Sequence, residues 1–179
     1  AMPRTYFVET IGCQMNVHDA ERMAGLLEEA GYRRAANVDA ADVVVVNTCS
    51  VREKAEDKLF SRLGELRMPE PPRARRRLLV VAGCLAQQEG AALRRRAPHV
   101  DVVVGTRAEH GLAQLVDRAW NERRPQVETR PLDDVSFPLG LARRSDPVKA
   151  SVTIVEGCND ACTYCVVPAT RGRESSRSL

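Results

Sequence analysis

Six cysteines carry most of the chemistry open to this chain, and they fall into two sets. Cys158, Cys162 and Cys165 lie close together in EGCNDACTYCVVPATRG (156–172). Cys13, Cys49 and Cys84 are scattered, 36 and 35 residues apart. The triplet offers three local thiolates and no fourth ligand. Structural zinc takes four ligands, commonly in CxxC pairs. Here the fourth would be a remote histidine among His18, His99 and His110, none at ligand-like spacing. A disulfide pair would leave an odd thiol. Thiolates are the usual ligands of iron–sulfur clusters. Three of them on a four-iron cube leave one iron open to a small molecule, as a catalytic metal site requires. An iron–sulfur cluster fits best, and a zinc-binding, non-catalytic module is the alternative from another class.

The rest of the composition sets bounds on this reading. A chain of 179 residues suffices for one α/β domain and needs no disulfides to stabilise its core. Its hydrophobic fraction of 44% and charged fraction of 28% are ordinary for a globular protein. No apolar run approaches the roughly 20 residues of a membrane span. The start, AMPRTYFVET, has no signal-peptide core, and Ala1 before Met2 reads as a cloning scar. The expected compartment is the cytoplasm, with no membrane partner. In that reducing setting clustered cysteines bind metal or do chemistry more often than they pair. The net charge of +3 is only mildly basic. RARRR (73–77), RRR (94–96) and Arg123–Arg124 are read as solvated helix ends and a loop, with phosphate contact as the sharper alternative.

The elements that must position the cysteines alternate regularly. TYFVETIGC, ADVVVVNTC, LLVVAGC and VDVVVGT are short valine-rich runs without polar alternation, the pattern of parallel strands buried on both faces. A helical stretch follows each. After Cys13, residues Val17, Ala20, Met23, Ala24, Leu27 and Ala30 recur at helical spacing up to Gly31. After Cys49, SVRE reads as a capping box from Ser50 to Glu53, with Ala55, Leu59, Leu63 and Leu66 as the inner face and MPEPP as the stop. A shorter helix is expected near 87–96. TRAE, Thr106 to Glu109, reads as a second capping box opening a helix through about Trp120. The expected fold is α/β, a doubly wound, mostly parallel sheet with helices on both faces. Cys13, Cys49 and Cys84 then end three successive strands along the sheet edge where ligands bind. A dinucleotide site is disfavoured, because the first loop, IGCQMNVHD, has a single glycine.

Residues 126–147 carry three prolines and read as a linker. Val148, Ala150, Val152 and Ile154 then alternate as in a strand, and the cysteine triplet follows as a loop that Gly157 frees.

ETIGCQMNVHDAERMAGLLEEAGY, NTCSVREKAEDKLFSRLGEL, AGCLAQQEG and EGCNDACTYCVVPATRGRE resemble, in order and spacing, the radical S-adenosylmethionine (SAM) methylthiotransferase family. The resemblance covers nearly all of residues 4–174, and GCQMN with NTCSVREKAEDKLF is most similar to its tRNA-modifying branch. It implies an auxiliary-cluster domain over 3–125, a linker over 126–147, and over 148–179 the first strand and cluster loop of a truncated radical SAM partial β/α barrel. It implies that Cys158, Cys162 and Cys165 hold a [4Fe–4S] cluster that binds SAM. It likewise implies an auxiliary [4Fe–4S] cluster on Cys13, Cys49 and Cys84. The implied reaction inserts a methylthio group at C2 of N6-dimethylallyl-adenosine beside the tRNA anticodon, with SAM as both methyl donor and radical source. The implied partners are the anticodon stem-loop and an electron donor such as flavodoxin or ferredoxin. Alternative substrates within the family are an aspartate of a ribosomal protein and threonylcarbamoyl-adenosine. The later barrel and RNA-gripping regions of the family have no counterpart here, so an inactive fragment with a loosely packed 148–179 segment is expected.

Overall fold

The structure is a computed structural model that describes residues 4–51, 54–67, 76–129, 142–144 and 146–177. Its centre is a six-stranded, all-parallel sheet. The strands are β1 (Thr5–Ile11), β2 (Arg33–Arg34), β3 (Val43–Thr48), β4 (Leu78–Gly83), β5 (Val102–Val104) and β6 (Gln126–Glu128). They lie in the order β2-β1-β3-β4-β5-β6. The four valine-rich runs are the four central strands, as their lack of polar alternation requires. Every residue of β3, β4 and β5 is buried.

Helices cover both faces, so the doubly wound α/β expectation holds. On one face α1 (Gln14–Glu29) and α5 (Leu112–Glu122) pack Met23, Leu27, Leu112 and Val116 against Val43, Val45, Val80 and Val102. On the other, α2 (Ala55–Leu66), α3 (Cys84–Glu89) and α4 (Ala91–Arg96) pack Leu59, Leu63, Leu85 and Leu93 against Val44, Val46, Leu79 and Val81. Alternate residues of one strand thus feed two separate cores. Strand order reverses between β1 and β3, and at such a switch point the loops leaving the two strands diverge and open a crevice.

Several local expectations are corrected. Gln126–Glu128, read as the start of a linker, pairs in parallel with β5, because Gln126 N–H donates to the Asp101 carbonyl at 2.8 Å and extends the sheet edge. The rest of that segment at 130–141 and 145 lies outside the described residues, as do Glu53 and MPEPP. Ser50 is not the cap of α2, which starts at Ala55 after Lys54. The helix expected near 87–96 is two, broken at Gly90, and the first begins at Cys84. TRAE does not open α5; a 3-10 turn at Glu109–Gly111 precedes it. Val17 points outward at 47% exposure, and Asn16 and Asp19 take the inner face instead.

The alternating segment from Val148 to Ile154 is not a strand. Only β7 (Val155–Glu156) pairs, antiparallel to β8 (Ser175–Ser176), and Val148 and Ile154 stay 89% and 68% exposed. The Ile154 carbonyl still accepts from the Arg177 N–H at 2.8 Å, at the end of this two-stranded ribbon, and alternation alone carries the strand no further back. Between β7 and β8 lies α6 (Val167–Arg171), which packs on α3. Thr170 and Arg171 are buried there, against the expectation of loose packing. The basic runs are partly structural. Arg76 donates to the Trp120 carbonyl at 2.6 Å, Arg77 to the Val38 carbonyl at 3.0 Å and Arg94 to the Val100 carbonyl at 2.8 Å. Among the described residues, no helix is long and apolar enough to cross a membrane.

Candidate functional site

The pairing register brings Cys13, Cys49 and Cys84 to one edge. Ile11 pairs with Thr48, and Thr48 with Gly83, so three adjacent strands end in one row. Cys49 and Cys84 are the next residues on their strands, and Cys13 is one residue further on its own. Cys13 caps the N-terminus of α1, and Cys84 opens α3. Cys49 N–H donates to the Ile11 carbonyl at 3.1 Å, which carries the β1–β3 pairing one residue past Thr48. Cys49 and Cys84 are buried, Cys13 is half-buried, and all three are free thiols. The Val51 N–H donates to Cys49 Sγ at 3.3 Å.

Polar side chains fix this edge. Asn16 Oδ1 accepts from the Cys13 N–H at 3.2 Å, and its Nδ2 donates to Asn47 Oδ1 at 3.3 Å and to the Thr48 carbonyl at 3.2 Å. Asn47 Nδ2 returns a bond to the Asn16 carbonyl at 2.7 Å. Gly83 has φ +94, and a Cβ there would collide with Asn47 Oδ1 and the Thr48 carbonyl. The turn from β4 into Cys84 therefore requires glycine.

Beside Cys84 lies a buried ionic cluster. Arg171 donates through Nη2 to Asp19 and through Nη1 to Glu156 at 3.1 Å. Burial pushes the Cys84 thiol pKa up, and the Arg171 guanidinium opposes that shift. Glu109 faces the same cluster. Its two carboxylate oxygens are buried and have no hydrogen-bond partner among the described residues. Burial raises its pKa well above the usual carboxylate range, with Asp19 next in effect, so its protonated form is favoured.

Cys158, Cys162 and Cys165 occupy the loop between β7 and α6. Cys158 and Cys165 are half-buried and Cys162 is exposed. The Cys158 N–H donates to the Gly172 carbonyl at 3.1 Å, and Cys165 N–H to the Cys162 carbonyl at 3.1 Å, so the loop is pinned at its base and turned at its tip. Gly157 has φ +82, and a Cβ there would collide with the Arg173 carbonyl. A hollow of about 650 Å³ opens beside Cys158, lined by Asp160, Pro168, Gly172 and Arg173.

Among the described residues, no three His, Cys, Asp or Glu side chains close on a point that one metal ion would fill. A tetrahedral zinc needs its sulfurs at about 2.3 Å. The three upstream thiols come from the ends of three adjacent strands, and thiolates are the donors that iron–sulfur clusters take. The histidines do not join either set: His99 Nε2 lies 2.9 Å from the Leu63 carbonyl, His18 is on α1 beside Glu21, and His110 is exposed.

A family model described as "Uncharacterized protein family UPF0004" matches residues 5–105, which hold β1 to β5 and all three upstream cysteines. The chain belongs to the UPF0004 family. It is also 51% identical over 176 residues to the tRNA-2-methylthio-N(6)-dimethylallyladenosine synthase of Acidothermus cellulolyticus. Proteins of the same name from Salinispora arenicola and Mycobacterium ulcerans are 50% and 52% identical over 177 and 176 residues. These matches cover 98% of this chain and 35%, 35% and 33% of the relatives, so the chain spans about a third of their length.

In this UPF0004 member the cysteines were readable from sequence, but Asn16, Asp19, Asn47, Glu109, Glu156 and Arg171 were missed. A signal existed for two of them. Asn16 and Asp19 share the inner stripe of α1 with Met23 and Leu27, and a polar residue at a core-facing helix position marks a special partner.

Proposed function

We propose that this chain is part of an enzyme that inserts a methylthio group at C2 of N6-dimethylallyl-adenosine beside the anticodon of tRNA. The observation that carries the reading is about 50% identity over nearly the whole chain to relatives so named. The row of three free thiols at the end of β1, β3 and β4 supports it. In this reading Cys158, Cys162 and Cys165 hold one [4Fe–4S] cluster together with SAM, and Cys13, Cys49 and Cys84 hold a second. When bound, these groups supply one-electron cleavage of SAM and a seat for the sulfur that is transferred. The chain's own residues shape both seats. Asn16 fixes the Cys13 turn, the Val51 N–H stabilises negative charge on Cys49 Sγ, and burial of Cys49 and Cys84 keeps water from their sulfurs. Residues 3–125 form the auxiliary-cluster unit, and 148–179 contribute the SAM-cluster loop. The electron comes from a small carrier of the flavodoxin or ferredoxin class, and the reaction belongs to the cytoplasm. The 179 residues alone do not complete it.

Iron and sulfide content after anaerobic reconstitution tests the cluster assignment. The chain should hold about eight irons, falling to about four when Cys13, Cys49 and Cys84 are replaced by alanine, and likewise for Cys158, Cys162 and Cys165. Stoichiometric zinc without iron, or iron indifferent to both triple variants, would refute it. The substrate is tested by mass spectrometry of tRNA from cells lacking the gene for the full protein. Loss of the methylthio group from dimethylallyl-adenosine is expected, and its retention would remove this substrate.

A further inference from the structure

The two cysteine motifs are far apart in sequence, yet one side chain reaches both. Glu156 lies two residues before Cys158, and Arg171 six residues after Cys165, so the pair brackets the CxxxCxxC loop. Their ion pair, at 3.1 Å, closes the base of that loop. The other arm of the Arg171 guanidinium leaves the loop and pairs with Asp19, on the helix that Cys13 opens. All three side chains are 4% exposed. The helix carrying Arg171, α6, packs on α3, the helix that Cys84 opens. Two further bonds fasten the same junction: the Thr106 hydroxyl donates to the Thr170 carbonyl, and Arg107 to the Arg173 carbonyl.

We propose that Arg171 is a positioning residue that docks the Cys158–Cys165 loop onto the sheet edge and sets a positive charge against the Cys84 end. The docking half stands on the contacts alone. The electrostatic half rests on the proposed cluster at Cys13, Cys49 and Cys84. A guanidinium suits the role because its planar fork serves two carboxylates from separate elements at once, which an ammonium does less well. Burying Asp19 and Glu156 is tolerable only while the fork is between them. With it gone, the junction opens so that both carboxylates regain water, and the loop leaves the edge. Glu109 completes the enclosure. In its protonated form it adds no third anion to the cluster.

Native-state hydrogen exchange on the metal-free chain is the test, comparing the parent with Arg171→Met and Arg171→Lys. Both replacements keep an unbranched stem, so packing is similar and only charge and fork differ. The reporting amides are Cys158, Thr170 and Gly172, all hydrogen-bonded in the docked loop. The amides of Val43–Thr48 report whether the domain is folded. In Arg171→Met the loop amides should lose protection by about a hundredfold or more, while the β3 amides change little. Arg171→Lys should recover part of that protection through one retained ion pair. Loop protection within a few-fold of the parent in Arg171→Met would overturn the docking. Equal loss in the Lys and Met variants would overturn the role of charge. In reconstituted protein lacking Cys158, Cys162 and Cys165, the midpoint potential should move to more negative values in Arg171→Met, because a cation favours the added electron. An unchanged potential with iron bound would overturn the electrostatic half. A parent chain that binds no iron would remove that half together with the cluster reading, and the exchange result would still decide the docking.

Discussion

Asn16 is a side chain on which the sheet edge depends. It is fully buried, and its amide joins the Cys13 turn to the end of β3. Truncation to alanine takes a partner from four groups. The Cys13 N–H and thiol, in a half-buried turn, can turn to water. Asn47 Oδ1 and the Thr48 carbonyl sit in a buried setting and lose the Nδ2 donor. Leaving a buried polar group unsatisfied costs about 1–3 kcal/mol, so two acceptors at the lower middle of that range give a loss of roughly 3 kcal/mol. With a urea dependence of about 2 kcal/mol/M, the unfolding midpoint should fall by about 1.5 M. Asn16→Asp sharpens the test. It keeps the shape but replaces the donor with a carboxylate oxygen that faces two acceptors, so its loss should exceed that of alanine. Asn37→Ala is the control. Asn37 also accepts one backbone bond, from Ala40 at 3.0 Å, but at an exposed turn, and should cost only about 1 kcal/mol. A midpoint shift under about 0.5 M for Asn16→Ala, or an aspartate variant milder than the alanine one, would refute the claim that this amide holds the edge together.

The remaining predictions concern the same edge. Gly83→Ala should destabilise by about 3 kcal/mol or more, because φ +94 is strained for an L-residue and the new methyl meets Asn47 and the Thr48 carbonyl; a variant with the parent's thermal midpoint would show that the turn can relax. Glu109→Gln should flatten the pH dependence of stability. The folded pKa of Glu109 lies above its unfolded value through burial and Asp19, with Arg22 and Arg171 opposing and Glu156 adding. Its stabilising effect is therefore complete below the unfolded pKa and is lost as pH rises through the folded one. The glutamine variant should gain on the parent as pH rises above the ordinary carboxylate range in urea titrations, and a difference that stays constant with pH would show that Glu109 does not titrate differently on folding.

How much of this could be read from residues alone depends on how local the cause was. The valine runs of β3, β4 and β5 were legible because burial on both faces leaves no polar alternation, and the inner face of α2 because Ala55, Leu59, Leu63 and Leu66 keep helical spacing. The two capping boxes misled for different reasons. At the first, the chain turns locally, with the Val51 N–H bonded to Cys49 Sγ, and α2 starts only at Ala55. At the second, a tertiary contact takes the capping hydroxyl. The Thr106 hydroxyl goes to the Thr170 carbonyl, 64 residues away, and Glu109 is enclosed beside Arg171. The six cysteines were legible by type and by position at strand ends. The groups that tune them were not, since Asp19 and Arg171 are 152 residues apart and each, by itself, reads as a surface charge.

Strand β3 shows why a site of this kind sits at the end of a strand. Val43 to Val46 serve the two cores alternately, and their side chains need only volume and shape. The next three residues, Asn47, Thr48 and Cys49, are as deeply buried but polar or reactive, because beyond the last core layer the neighbours are helix N-termini and loop amides instead of valines. A donor such as the Val51 N–H can there stabilise charge that the core could not accept. The same step occurs on β4, where Leu78 to Ala82 give way to Gly83 and Cys84 and the charged partner is Arg171. A valine at Cys49 or Cys84 would stay buried and apolar but would remove the sulfur. If the thiols at both positions hold a cluster, as proposed, replacing Cys13, Cys49 and Cys84 removes iron, and if they only pack, the iron content is unchanged.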